Sequence, residues 1–198
     1  MGQINPESQF GAFLKKIAGY PDVHSIVDIG AWNGLGSTRC LVEGIGNRTD
    51  AHVYSFEIDE NMYTLAANVW KDNAHVTLQK SRLSEMMMTL DEVESSPNYS
   101  NISGQEWRSW YTGEKANFEK SMIGTLPDTI DFVIIDGGEF SGPGDWKTVK
   151  AKNPKYVALD DIFTVKTESV LREMISSGEW MVLDHGNDRN GWSILCKN

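Results

Sequence analysis

The segment 25–37, SIVDIGAWNGLGS, constrains the fold more than any other part of the chain. Ile26, Val27 and Ile29 are β-branched and apolar, the pattern of a strand buried on both faces. The run ends at Asp28-Ile29-Gly30, and a turn carrying Gly30, Gly34 and Gly36 follows. Ser37 then opens a stretch whose Cys40, Leu41 and Ile45 suit a helix. Glycine lets backbone approach a ligand where a Cβ would clash. A helix that begins at such a turn points its first N–H groups into it. Strand, glycine turn and helix together predict a site for a nucleotide-like ligand.

The remainder of the chain repeats this alternation. Asn5-Pro6-Glu7 predicts a helix start, with Asn as cap, and Phe10, Phe13, Leu14 and Ile17 give its period. A strand over 53–56 ends at Glu57. Asp59 caps a helix with Met62, Leu65, Ala66, Val69 and Trp70 on one face. A short strand at 76–78 and a helix over 81–93 follow, the latter with Met86, Met87 and Met88 as packing filler. Further on come a strand over 131–135, a helix over 145–151 and a strand over 156–159. A helix over 168–176 turns Val170, Leu171, Met174 and Ile175 inward and stops at Gly178. Two strands, 180–183 and 192–196, are joined by a polar turn into an antiparallel hairpin. This order predicts an α/β fold: a doubly wound, mostly parallel Rossmann-like sheet with an antiparallel C-terminal hairpin. With no repeat and no linker, one domain over 1–198 is expected. Residues 95–120 interrupt the rhythm, and their Tyr99, Trp107, Trp110 and Tyr111 predict a packed, lid-like insertion.

A formal net charge of -10 argues against a nucleic-acid partner. Cys40 and Cys196 read as small buried hydrophobes with neither disulfide nor metal-ligand spacing. Nothing is apolar enough to span a membrane and no signal segment opens the chain, so the cytoplasm is the expected address. Met1-Gly2 hints at myristoylation, but Pro6 stands where Ser or Thr is wanted. The sequons at Asn47, Asn98 and Asn101 read as chance in that setting. The expected partner is a small molecule, with a homo-oligomer left open.

In a wound sheet, ligands bind outside the carboxyl ends of the strands. Asp28, Glu57, Asp136, Asp160 and Asp161 all fall at or next to those ends. Five acids on one rim repel one another unless a cation sits among them. Glu57, ending the second strand, can accept both hydroxyls of a ribose. The turn reads Gly30-x-x-x-Gly34-x-Gly36 rather than G-x-G-x-x-G, and a closing hairpin is foreign to a dehydrogenase half. His24, His52 and His75 precede strands and so belong to the opposite rim.

In element order, in VDIGAWNGLGS, in the acid of YSFEIDE, in DFVIIDGGEF and in the closing hairpin, the chain from Ser25 to Lys197 resembles class I S-adenosylmethionine-dependent methyltransferases. The glycine turn is similar to FkbM-type O-methyltransferases. DGGEF and LDDIF resemble the metal-dependent O-methyltransferases of catechols and macrolide sugars. The resemblance implies S-adenosylmethionine, with Asp28, Gly30 and Gly34 at its methionine end and Glu57 at its ribose. Ala31, Ser37 and Asp136 join that cofactor-binding set, and Ser81, Arg82 and Leu83 lie near the adenine. It implies Mg²⁺ held by Asp136, Asp160 and Asp161, which would lower the pKa of a bound hydroxyl. Residues 189–192 would overhang the site. The sugar enzymes place a His base three residues beyond the first metal ligand; here that place is Glu139, with His185 in reserve and Asp136 beside it. The implied activity is methyl transfer to a hydroxyl of a small molecule, a sugar among the candidates. The alternatives are a nicotinamide-dinucleotide oxidoreductase and a non-catalytic nucleotide-binding module. A DNA amino-methyltransferase is disfavoured, because the fourth strand ends in IDGG rather than in a Pro-Pro-aromatic motif.

Overall fold

The computed structural model describes residues 4–104 and 106–198, so the Met1-Gly2 signal lies outside the described residues. Among these, eight strands form one sheet: β1 (Ser25–Ile29), β2 (His52–Glu57), β3 (Val76–Arg82), β4 (Met122–Ile123), β5 (Phe132–Ile135), β6 (Tyr156–Asp160), β7 (Trp180–Gly186) and β8 (Trp192–Lys197). The helices are α1 (Gln9–Ala18), α2 (Ser37–Ile45), α3 (Glu60–Trp70), α4 (Leu90–Ser95), α5 (Ser100–Ser103), α6 (Trp107–Lys120), α7 (Gly142–Lys150) and α8 (Glu168–Ser177). The strand order is β4-β3-β2-β1-β5-β6-β8-β7. All pairs up to β6 are parallel, and β8 runs antiparallel to β6 and β7. No helix among the described residues is long and apolar enough to cross a membrane.

Successive strand side chains point to opposite faces. Ile26 on β1 therefore joins Phe10, Leu14, Ile17, Cys40, Leu41 and Ile45 under α1 and α2. Val27 and Ile29 face the other way, toward Trp146 and Val149 of α7 and Met174 of α8. All five β1 residues are buried, as a strand covered on both faces requires. The chain winds outward from β1 in both directions, so the order reverses between β1 and β5. Ile29 pairs with Phe56 and with Ile135, and Ile135 with Leu159. The register thus brings Gly30, Glu57, Asp136 and Asp160 to one edge, at the crevice where wound sheets bind ligands.

Several local expectations change. The first helix starts at Gln9, not at Pro6. Asn5 Oδ1 accepts the Glu7 N–H at 2.9 Å in a turn, and Ser8 Oγ caps the helix by accepting the Gly11 N–H at 3.1 Å. The third strand continues to Arg82, because β2 pairs with it as far as Glu57↔Lys80 and β4 beyond. The helix expected over 81–93 shrinks to α4, whose Thr89 and Glu92 form a capping box. Leu65 and Val69 of α3 are 49% and 45% exposed, and Ile175 of α8 is exposed too; α3 buries only Ala66. Met86 is exposed, while Met87 and Met88 pack. Cys40 is buried and Cys196 only half-buried.

The interruption at 95–120 is helical. Val93, Ile102 and Trp107 pack with Phe140 and Val165 in a third apolar cluster, ringed by Tyr99, Trp110 and Tyr111. The amides of Asn98 and Asn101, members of two sequons, donate to the backbone carbonyls of Ile162, Phe163 and Thr164. The insertion is thereby tied to the loop that follows β6.

Candidate functional site

A cavity of about 620 Å³ opens at the reversal point. One wall is the β1 turn and the end of β2, with Gly30, Ala31, Trp32, Ser37 and Glu57. A second is Ser81, Arg82 and Leu83. Trp110, Glu114 and Phe118 of α6 roof it, and Asp136, Glu139, Asp161, Lys166 and Arg189 complete it.

The turn is a strained device. Gly30 has φ +91°, and its N–H and that of Ala31 both donate to Phe56 O at 3.0 Å. Trp32, at φ +50°, aims its N–H at Glu57 Oε2, 2.7 Å away. Glu57 Oε1 accepts the Asp59 N–H at 2.8 Å. Glu57 is buried, and burial pushes its pKa up despite these bonds. Each oxygen keeps a second lone pair for a hydroxyl.

Gly34 of the turn and Asp28 of β1 both lie outside the cavity wall. Gly34 does not border the cavity; a Cβ there would lie 2.5 Å from Trp70 Nε1, which donates to Gly34 O at 2.8 Å. Its glycine serves the packing of α3 on the turn. Asp28 is wholly buried behind the wall. Its Oδ2 accepts Thr38 Oγ1–H at 2.6 Å and Ser55 Oγ–H at 2.8 Å, and Oδ1 has no partner. Burial raises its pKa. Asp28 ties β1 to β2 and to the first turn of α2, behind the ligand surface.

Ser81 Oγ is buried in the wall without a hydrogen-bond partner. Leu83 is buried beside it. Arg82 lies over the Phe118 ring at 4.7 Å and donates to Phe118 O, Ser84 O and Ser121 O. It fastens α6 to β3 and borders the cavity as it does so.

On the acidic side, Asp136, Asp160 and Asp161 converge, each offering a carboxylate oxygen within 4.8 Å of the others. Two cations already occupy them. Lys166 Nζ lies 3.1 Å from Asp136 Oδ1 and 2.6 Å from Asp161 Oδ2. Arg189 donates to Asp160 Oδ2 at 2.6 Å, and Asn190 to Asp161 Oδ1 at 2.9 Å. Burial acts on Asp161 against ionisation, but Lys166 and Asn190 outweigh it and hold its carboxyl below the usual range. Burial and the neighbouring Asp136 drive Asp160 well above it. Burial alone would lower Lys166, yet Asp136, Asp161 and Asp160 reverse this and raise it. The donor atoms suit a divalent ion, and Asp160 Oδ1 is buried without a partner, but the positive charge the cluster needs is already supplied by an ammonium and a guanidinium. As they stand, the residues do not fit Mg²⁺.

Glu139 is buried in the wall, and its Oε1 has no hydrogen-bond partner. Burial raises its pKa while Lys166 pulls it down. His185 does not reach the site: it is exposed on β7, opposite Ser193, away from the cavity. His24, His52 and His75 sit at the amino ends of β1, β2 and β3, as expected.

Three wall residues escaped the sequence reading, and a fourth, Trp110, entered it only as part of the packed insertion. Glu114 accepts the Phe140 N–H at 3.0 Å from across the insertion, and burial pushes it up to about 7. Asp145 accepts from Ser141 Oγ at 3.0 Å and is likewise pushed up by burial to about 7. Trp110 and Lys166 complete the set. Glu114 and Trp110 lie within the aromatic insertion, a region already marked as unusual. A single Lys five residues beyond Asp161 carries no pattern that would have singled it out.

No family profile and no curated protein matches this sequence. Solved structures do match in shape. An O-methyltransferase from Bacillus cereus in complex with SAH superposes with TM-score 0.59 at 15% identity, covering 95% of this chain and 80% of that one. The O-methyltransferase TomG from Streptomyces achromogenes, involved in tomaymycin synthesis and in complex with SAM, gives 0.59 at 15% identity, covering 95% and 79%. A methyltransferase from Geobacter sulfurreducens gives 0.60 at 14% identity, covering 98% and 80%. The chain has the class I methyltransferase fold.

Proposed function

We propose that this protein is an S-adenosylmethionine-dependent O-methyltransferase acting on a hydroxyl of a small molecule. The observation that carries this reading is Glu57, a buried carboxylate held by two backbone N–H groups across from Gly30, at the crevice where the sheet reverses. The likeness to structures that hold SAH or SAM supports it. The unpartnered Ser81 Oγ in the same wall fits a ligand bearing ring nitrogens.

When bound, S-adenosylmethionine supplies an electrophilic methyl group on a sulfonium, and transfer to the acceptor oxygen breaks the carbon–sulfur bond and leaves S-adenosylhomocysteine. Glu57 accepts the ribose hydroxyls, and Ser81 and Leu83 border the adenine. Gly30, Ala31, Ser37 and Asp136 border the methionine end. Glu139 Oε1 takes the proton of the acceptor hydroxyl, a task suited to a carboxylate whose pKa burial has raised. Most of the rate comes from holding acceptor and methyl group in line. Trp110, with Glu114 beside it, offers an aromatic face and an acceptor, a pairing that suits a sugar. A nicotinamide dinucleotide suits this wall less well, since its pyrophosphate would face Glu57, Asp136, Glu139 and Asp161. No step is routed through Mg²⁺, because its three carboxylates are already ion-paired.

Calorimetric titration with S-adenosylhomocysteine and, separately, NAD tests the reading. Saturable binding of the first and none of the second is expected. The reverse result would replace it with the oxidoreductase reading.

A further inference from the structure

We propose that the Lys166 ammonium stands where related enzymes of this fold would keep a divalent ion, so that methyl transfer here is metal-free. The chemistry rests on the methyltransferase reading above; the placement of the cation does not. Three carboxylates within 4.8 Å demand positive charge among them. The chain supplies it from its own residues. Lys166 Nζ bridges Asp136 and Asp161, and Arg189 neutralises Asp160. The Lys166 side chain is only 7% exposed, and the backbone that carries it is clamped. Its N–H donates to Thr164 Oγ1 at 3.2 Å, and a Cβ on Gly142 would lie 2.0 Å from its carbonyl oxygen. Thr164 is itself fixed, its hydroxyl donating to Asp161 O at 3.1 Å. The ammonium is therefore built into the loop after β6 rather than resting on the surface.

A divalent ion joining this cluster would raise the count to three cations over three carboxylates and press a dication against a buried ammonium. An ammonium carries three N–H donors, two of which the carboxylates take. Lys166 borders the cavity, which leaves the third for an oxygen of the acceptor. It would hold that oxygen by a charge-assisted hydrogen bond in place of coordination.

The test uses the full chain saturated with S-adenosylhomocysteine and Mn²⁺ as the probe, read by electron paramagnetic resonance. The wild type is expected to show no saturable Mn²⁺ binding up to millimolar concentration. Lys166→Met, which takes the ammonium away from Asp136 and Asp161 and leaves Asp160 with Arg189, is expected to bind Mn²⁺ at least about tenfold more tightly than the wild type. Saturable Mn²⁺ binding by the wild type that Asp161→Asn abolishes would overturn the proposal, as would equal binding by wild type and Lys166→Met. The wild-type and Asp161→Asn measurements decide the matter even if Lys166→Met fails to fold. The S-adenosylhomocysteine titration itself is scored separately: its failure would sink the methyltransferase reading and leave the cation assignment standing on the Mn²⁺ result.

Discussion

Gly30 has φ +91°, and a Cβ built on it would lie 2.1 Å from Asp136 O. Two separate constraints, backbone conformation and contact with the neighbouring strand's end, therefore ask for glycine. Gly30→Ala is expected to destabilise the folded chain by about 1–3 kcal/mol and to weaken cofactor binding at the same time. Urea unfolding monitored with and without S-adenosylhomocysteine separates the two effects, and unchanged stability would mean the turn is looser than its contacts indicate. At Glu57, loss of the carboxylate removes hydrogen bonds to a charged group. Glu57→Ala should weaken S-adenosylhomocysteine by about 1.5–3 kcal/mol, roughly ten- to a hundredfold. Calorimetry checks this, with Glu57→Gln as the variant that keeps shape and loses charge. Equal affinity of parent and Ala variant would remove Glu57 from the site.

Among the elements, α6 carries Trp110, Glu114 and Phe118 over the cavity. It is held by aromatic packing: Phe140 lies between Trp107 and Tyr111, with ring centroids 6.4 Å and 5.2 Å away. Tyr111 Oη–H donates to Met88 O at 2.9 Å, and Arg82 binds the other end of the helix. Phe140→Ala removes the wholly buried ring at the centre of this cluster. A cost of about 3–5 kcal/mol is expected. Hydrogen exchange should quicken across α6 before it does in β1 and β5, because the third cluster is separate from the two cores that flank the sheet. Uniform quickening over the whole chain would show that α6 unfolds only with the rest. The aromatic content of this stretch was legible as packing. Its helices were less so, because α6 shows no strong apolar face and packs through rings scattered on several sides.

For the molecule as a whole, buried acids set the pH response. Burial pushes Glu114 from an ordinary 4.5 up to about 7 and Asp145 from 3.8 up to about 7. A carboxyl raised in this way favours the folded state fully while it is protonated in both states. That contribution is lost as pH climbs from about 4 through about 7. Asp28, Glu57, Glu139 and Asp160 are raised as well and act in the same sense. Unfolding free energy is thus expected to fall by about 2 kcal/mol or more between about pH 5 and pH 8. Denaturant titrations at the two values measure it. Glu114→Gln and Asp145→Asn should each flatten the slope; a slope that neither variant changes would mean these two carboxyls are not the groups responsible.

What the sequence determined by itself was local and one-dimensional. Two-sided apolar runs marked the central strands, the Asp59 cap and Gly178 stop marked helix ends, and acids one step past apolar runs marked the ligand edge. Those signals hold because burial on both faces of a strand and the unmet N–H groups at a helix start impose residue types within a few positions. Which acids meet a ligand was decided only by the tertiary structure. Asp28 and Glu57 look alike at their strand ends, yet Asp28 lies behind the wall under Thr38 and Ser55, while Glu57 borders the cavity. Gly34 answers to Trp70, distant in sequence, and His185 leaves the site because the hairpin extends past the expected turn. The cation that quiets the acidic edge comes from Lys166 on a loop with no periodicity. Strand register and loop path bring these groups together, and neither is written in the spacing of neighbouring residues.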